Sequence, residues 1–172
     1  KGLRVWFWLK MNTAPGSSIA YQGIVTKGTI DSSGSPPANT FEGEWGIWYR
    51  TGSGGGGGAS GLNSVITYKT TVVTLGFVAT PTLIAGIWYF YHWYIDDDLA
   101  KLHIWNSDTD NQFGGSSISV AGETVTSEDH PMMVGNNAKG AMLGAGSGNF
   151  SLENLGFCRE TLTEEELNDK AE

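Results

Sequence analysis

WYFYHWYIDDDLAKLHIWNSD, Trp88 to Asp108, carries seven aromatic residues and two histidines on either side of the triplet Asp96-Asp97-Asp98. Aspartates between two ring-rich runs are turn chemistry, and the runs themselves read as strands. The stretch predicts a β-hairpin that turns near Asp97-Asp98. Alternation along a strand then sorts its side chains onto two faces. Tyr91, Trp93 and Ile95 share one face with Leu102 and Ile104, and that apolar set is expected to be core. Phe90, His92 and Tyr94 share the other face with Lys101, His103 and Trp105. If Asp97-Asp98 is a two-residue turn, His92 and His103 lie directly opposite each other. This second face mixes rings with hydrogen-bonding groups, the composition of a sugar site: rings stack on apolar C–H patches while polar groups reach hydroxyls. The same composition also suits packing under another strand or loop, or against a partner subunit.

Outward from the hairpin, period-2 segments recur between turn clusters, the pattern of a sandwich or barrel. RVWFWLKM (Arg4–Met11) alternates Val5, Phe7, Leu9 and Met11 with Arg4, Trp6, Trp8 and Lys10. Further strands are expected in GIVTKGTI (23–30), GEWGIWYR (43–50), SVITYKTT (64–71) and VVTLGFVA (72–79), the last two being one bent strand or two. Weaker strand signals occur in SSISVAG (116–122), PMMVGN (131–136) and FSLENLGFC (150–158). Glu44, Trp48 and Arg50 share one alternating face of GEWGIWYR, so Trp48 and Arg50 join His92, Tyr94, His103 and Trp105 as candidate ligand contacts. Residues 31–40 read as a loop. SGGGGGASG (53–61) reads as a mobile loop tip, and no Lys-Ser/Thr follows it, so a phosphate-binding loop is excluded. Only the end reads helical: Thr163-Glu164-Glu165-Glu166 is a capping box ahead of Leu167 and Ala171.

The totals agree with an all-β chain. Of 172 residues, 40% are hydrophobic, 16% are charged and 25 are glycine, which suits a turn-rich β domain better than a helical one. One domain spanning 1–172 is expected at this length. A net charge of −8 argues against nucleic acid, whose phosphates require a basic surface. The lone cysteine, Cys158, excludes an internal disulfide and a cysteine-based zinc site. No run of about 18 apolar residues is present, so membrane insertion by a helix is not expected. The chain enters a strand pattern at Lys1, which fits a mature or excised segment.

The order of these pieces resembles the laminin G-like, concanavalin A-like jelly roll. RVWFWLK is similar to that family's "sxsxWvK" strand and GIVTKG to its "ivsKG" strand. GIWYFYHWYIDDDLAKLHIWNSD is similar to the "W-hhvavxyDgxxlxlyvnG" hairpin, with Trp88 on the family's tryptophan. FSLENLGFCRETLTEEEL is similar to the closing "idevriynraLsxeEi" segment, with Leu162, Thr163, Glu166 and Leu167 at matching places. The resemblance implies two antiparallel sheets in a jelly-roll sandwich with a short C-terminal helix, and ligands on a concave face or at loop tips. An extra N-terminal strand usual in the family has no counterpart, which fits a cut or cleaved chain or a strand donated by a neighbour.

Fold does not assign function. Retaining glycoside hydrolysis needs two carboxyls about 5–5.5 Å apart, and alternate strand positions supply that arrangement. Glu42-Gly43-Glu44 is the nearest run and lacks an intervening Asp and a third acid, while consecutive Asp96-Asp97-Asp98 diverge; no catalytic residue is assigned. Relatives often bind Ca²⁺, and Asp108-Thr109-Asp110-Asn111 and Ser127-Glu128-Asp129 are candidate loops, neither of which matches the D-x-[DN]-x-[DN]-G pattern. No G-x-S-x-G signature occurs. The leading reading is a non-catalytic module recognising a glycan or polysaccharide, outside the cell, on a cell surface or on a virion, strengthened by oligomerisation or protein partners. The alternative is a structural subunit of a virion or surface assembly whose aromatic faces make subunit contacts. A glycan-cleaving enzyme ranks third.

Overall fold

The computed structural model describes residues 3–12, 20–31, 40–51, 61–67, 72–75, 83–95, 99–109, 111–119, 121, 132–134, 138–139 and 150–158. Every regular element among them is a strand. The capping-box helix expected after Thr163, the Asp96–Asp98 tip and the glycine run at 53–60 lie outside the described residues. The strands belong to two compact units, one made of residues 1–14, 83–122 and 150–172 and the other of 15–82 and 123–149.

The first unit holds a five-stranded sheet of β1 (Leu3–Met11), β6 (Trp88–Ile95), β7 (Leu99–Asn106), β8 (Asn111–Ser119) and β11 (Phe150–Cys158), in the order β11-β1-β6-β7-β8. All four pairings are antiparallel. The hairpin of β6 and β7 pairs His92 with His103 and Trp93 with Leu102, the register that a turn at Asp97-Asp98 demands. β1 continues the row, placing Val5 opposite Trp93 and Phe7 opposite Tyr91. Val5, Phe7, Leu9, Tyr89, Tyr91, Trp93, Leu102 and Ile104 are all buried, so the expected apolar face is the core. The Phe7 and Tyr91 rings stack there, centroids 5.1 Å apart.

The second unit holds β2 (Ala20–Asp31), β3 (Thr40–Thr51), β4 (Gly61–Thr67), β5 (Val72–Leu75), β9 (Met132–Val134) and β10 (Ala138–Lys139). Its order is β10-β2-β3-β4-β5, with β9 also on β2. Pairing is antiparallel except for the two-residue parallel contact of β10 with β2. Ile24, Val25, Trp45 and Ile47 are buried in this unit. β4 and β5 are two strands rather than one bent strand, because Ser64–Thr67 pairs antiparallel with Val72–Leu75.

β8 differs from the sequence reading. It runs over Asn111–Ser119, and Ala121 is an exposed turn residue, whereas a strand over 116–122 was expected. Gly114 and Gly115 look like strand breakers, yet they pair with Ile104 and His103 inside the ladder. The register shifts between Ile104 and Trp105, which absorbs Phe113 as an extra residue on β8.

A second bulge lies in β11. Trp6 pairs with Gly156 and Trp8 with Glu153, so Asn154 and Leu155 together face Phe7. Asn154 has a φ of 51°, the left-handed region that asparagine tolerates better than most residues. The Trp6 indole lies against Gly156, where an added Cβ would overlap the ring carbons and come 2.7 Å from Nε1. Gly156→Ala is therefore expected to cost about 1–3 kcal/mol through overpacking. Urea unfolding reads this directly, and the penalty should shrink when Trp6→Leu is made in the same chain. An undiminished penalty in the double variant would show that the indole is not the obstacle.

Candidate functional site

Alternation places a second set of side chains on the opposite side of the first sheet. Register fixes three rows across it: Arg4–Tyr94–Lys101, Trp6–His92–His103 and Trp8–Phe90–Trp105, with Lys10 opposite Trp88 beyond them. The bulge in β11 brings Glu153 to the end of the Trp8 row and Ser151 opposite Lys10. Burial divides this face into a floor and a rim. Arg4, Trp6, Phe90 and His92 are buried, whereas Trp8, Lys10, Trp88, Tyr94, Lys101, His103 and Trp105 are half-buried. Glu153 is exposed.

The rings of the rim are in mutual contact. Tyr94 and His103 stack at 5.9 Å with planes 3° apart, and His103 continues onto Trp105 at 5.5 Å and 19°. His92 stacks beneath Tyr94 at 4.8 Å. Phe90 joins Trp105 at 5.7 Å and Trp8 at 5.2 Å in tilted pairs. Parallel rings at such separations are offset, and each pair adds about 0.5–1.5 kcal/mol beyond its buried area. Cations occupy the ring faces as well. The Arg4 guanidinium carbon lies 4.7 Å from the Tyr94 centroid, Lys101 Nζ lies 5.7 Å from the same ring, and Lys10 Nζ lies 4.6 Å from the Trp88 ring.

Both histidines are held neutral. His92 is only 3% exposed, and its Nε2 has no hydrogen-bond partner among the described residues. Burial first, then the Arg4 guanidinium and electrostatic coupling to the His103 imidazole, lowers its pKa from 6.5 to about 3. Burial and the Lys101 ammonium lower that of His103 as well. A proton shuttle near neutral pH is poorly served by such imidazoles, whereas a neutral ring serves as a stacking or hydrogen-bonding group.

Of the six candidate contacts read from the sequence, the structure brings four together. Tyr94, His103 and Trp105 form the half-buried stack, and His92 lies on the floor beneath Tyr94. Trp48 and Arg50 lie on β3 in the other unit, paired with Gly23 and Tyr21, and their side chains fall outside the described residues. Sequence reasoning missed Arg4, Trp88 and Glu153 as members of the face. Arg4 was legible, since it leads the alternation that contains Trp6, Trp8 and Lys10. Glu153 was hidden by the bulge, although the phase break between Leu152 and Leu155 in FSLENLGFC marks one.

No group of three or more His, Cys, Asp or Glu side chains suited to a metal occurs among the described residues. Of the candidate Ca²⁺ loops, Asp108 is exposed; its N–H donates to Asn106 Oδ1 at 2.8 Å and its Oδ1 accepts from Ser107 Oγ at 3.4 Å. Both bonds are turn chemistry. Asp110 and Ser127–Asp129 lie outside the described residues. No described helix is long and apolar enough to cross a membrane.

No family model matches the chain, and no curated protein matches it. Among solved structures, the chain is similar to domain 4 of AbnA, a GH43 extracellular arabinanase from Geobacillus stearothermophilus, in complex with arabinotriose. The TM-score is 0.51 at 15% identity, covering 99% of this chain and 66% of that one, so the chain spans just under two thirds of its length. Peanut lectin with a nine-residue peptide is matched at a TM-score of 0.36 and 10% identity over 70% of this chain and 64% of that one, a likeness too slight to argue from. Together with the strand order, the first likeness establishes the fold class: all-β, with two sheets whose strands pair antiparallel except at the short β10–β2 contact.

Proposed function

We infer that residues 1–172 act as a single non-catalytic glycan-recognition module of laminin G-like type, working outside the cell, on a cell surface or on a virion. The observation that carries this reading is the half-buried stack of Tyr94, His103 and Trp105, with half-buried Trp8 and Trp88 on the same face. Rings already packed against one another lose little freedom when a ligand arrives, so the face is preorganised. Offset stacking leaves part of each ring uncovered, with polar edges from tyrosine, histidine and tryptophan beside it. Sugars ask for that pairing of apolar surface and hydrogen-bonding groups. The arabinotriose in the AbnA structure supports the reading by analogy of fold. Trp48 and Arg50 are proposed as further contacts on the second sheet.

Glycan-array screening followed by calorimetry tests this. Trp105→Ala and Tyr94→Ala are each expected to weaken binding about ten-fold or more, near 1.4 kcal/mol, with circular dichroism unchanged. Binding by the wild type that survives both substitutions would place the site elsewhere.

A second reading, a structural subunit of a larger assembly, rests on Phe157, which is 55% exposed on the edge strand β11. Exposed apolar residues on sheet edges are contact points between chains. Light scattering of wild type and Phe157→Ser separates the two: a large oligomer lost on substitution, without any glycan signal, selects the structural role.

A further inference from the structure

The two flanks of the ring stack on β7 are unlike. On the β6 side, His103 lies beside His92 and Trp105 beside Phe90, both buried rings. On the β8 side, register puts Gly115 beside His103, Ser117 beside Lys101 and Ser119 beside Leu99. Residues paired across strands share a face of the sheet. Gly115, Ser117 and Ser119 are all exposed, whereas Lys101, His103 and Trp105 are half-buried. The face therefore steps down from large side chains on β7 to small ones on β8.

Two features of the chain produce this step. A glycine inside a strand weakens it, and such a glycine marks a bulge, a bend or the close approach of another molecule. Gly86 is the described glycine with a positive φ, so the backbone at Gly115 admits an ordinary residue. The bulge of β8 lies beyond Gly114 and does not require a glycine at 115. It acts instead on the neighbouring ring. A regular ladder would set Phe113 opposite Trp105, and the extra residue sets Gln112 there. Glycine and bulge together put no ring of β8 in register with His103 or Trp105, the two rings of β7 that carry the glycan reading.

Resting on that reading, we propose that the saccharide lies lengthwise along β8, with one sugar unit seated over Gly115 against His103 and Trp105. The module then reads an internal, unbranched run of chain rather than a terminal sugar. From Gly115 to Ser119 the exposed floor extends about 14 Å at the rise of a strand, longer than a single sugar ring. A unit over Gly115 approaches the backbone closely, because no Cβ stands in its way, and turns an apolar C–H patch to the rings. Its neighbours in the chain meet the hydroxyls of Ser117 and Ser119, which donate one hydrogen bond each and accept others. A branch on the edge of the unit that faces the backbone would have no room. Gly115 is thus the specificity-determining residue of the site, through the side chain it lacks.

Calorimetry with linear arabino-, xylo- and cello-oligosaccharides, each from the monosaccharide to the hexasaccharide, tests the inference. In the series that binds, the tetrasaccharide is expected to bind about ten-fold or more tightly than the monosaccharide. Gly115→Leu should weaken binding about ten-fold and Gly115→Ala about three-fold, and Ser117→Ala about five-fold. Leucine suits a strand better than glycine, so the urea midpoint of Gly115→Leu should equal or exceed that of the wild type. A midpoint that falls together with affinity in both Gly115 variants would make the glycine structural and overturn the inference. A monosaccharide that binds as tightly as the hexasaccharide would overturn it too, as would wild-type affinity in Gly115→Leu beside loss in Trp105→Ala; either result leaves glycan recognition standing. If no oligosaccharide binds and an array also shows no glycan, the module reading and this inference fall together.

Discussion

Replacing Trp93 by alanine is expected to lower the free energy of unfolding by about 3–5 kcal/mol, the range for truncating a large buried aromatic. Trp93 is 0% exposed and sits mid-strand, with Val5 opposite it on one side and Leu102 on the other. Truncation loses the transfer free energy of the indole and leaves a cavity that a ladder paired on both sides cannot close. Trp93→Phe keeps most of the volume and should cost clearly less, whereas Trp105→Ala, on the half-buried rim, should change stability by under about 1–2 kcal/mol. Urea unfolding of the three variants provides the ranking. If Trp93 and Trp105 cost the same when truncated, strand alternation does not divide the rings into core and surface, and the binding face loses its basis.

Acid should destabilise the fold through His92. Its pKa falls from 6.5 to about 3 on folding, chiefly because burial penalises the charged imidazolium. Between those values the unfolded chain binds a proton that the folded chain refuses, so protonation favours unfolding. Stability from this group is complete above the unfolded value and is lost progressively as pH falls below it, by about 1.4 kcal/mol per pH unit. From pH 6.5 to pH 4.5 the loss is on the order of 2 kcal/mol. The lowered pKa of His103 acts in the same direction. His92→Phe keeps a planar ring against Tyr94 and removes the titration. Its urea midpoint should be less sensitive to pH over this window than that of the wild type. Identical pH profiles would mean that the His92 imidazole is solvated in the native state.

Much of this was legible in the chain. Alternation in RVWFWLKM and in the Trp88–Trp105 runs separated the core face from the opposite face, and the His92–His103 register is the one expected for a two-residue turn at Asp97-Asp98. Period-2 patterning works there because one face is fully apolar and a one-residue slip would expose all of it. Depth was less legible. Phe90 and His92 alternate with the rim residues but are buried, with Trp8 and Trp105 packed on Phe90 and Tyr94 stacked on His92; a periodicity assigns a side and not a height. Trp48 and Arg50 look like Trp105 in local pattern, yet they belong to a different sheet, and which sheets form is decided by long-range pairing that no short window contains. β8 begins before the expected 116–122 strand for a related reason: the local propensity of Gly114-Gly115 disfavours a strand, and the ladder to β7 overrides it.

The bulge of β11 makes that strand unusual in how it should respond to changes in length. Deleting one residue from a regular strand sends everything beyond the cut to the wrong side. Removing Asn154 alone should do the opposite, because Leu155 would then stand singly across from Phe7, and Glu153 and Gly156 would keep their present partners. The shortened chain should fold with its hydrophobic inventory intact, having given up nothing but a kink.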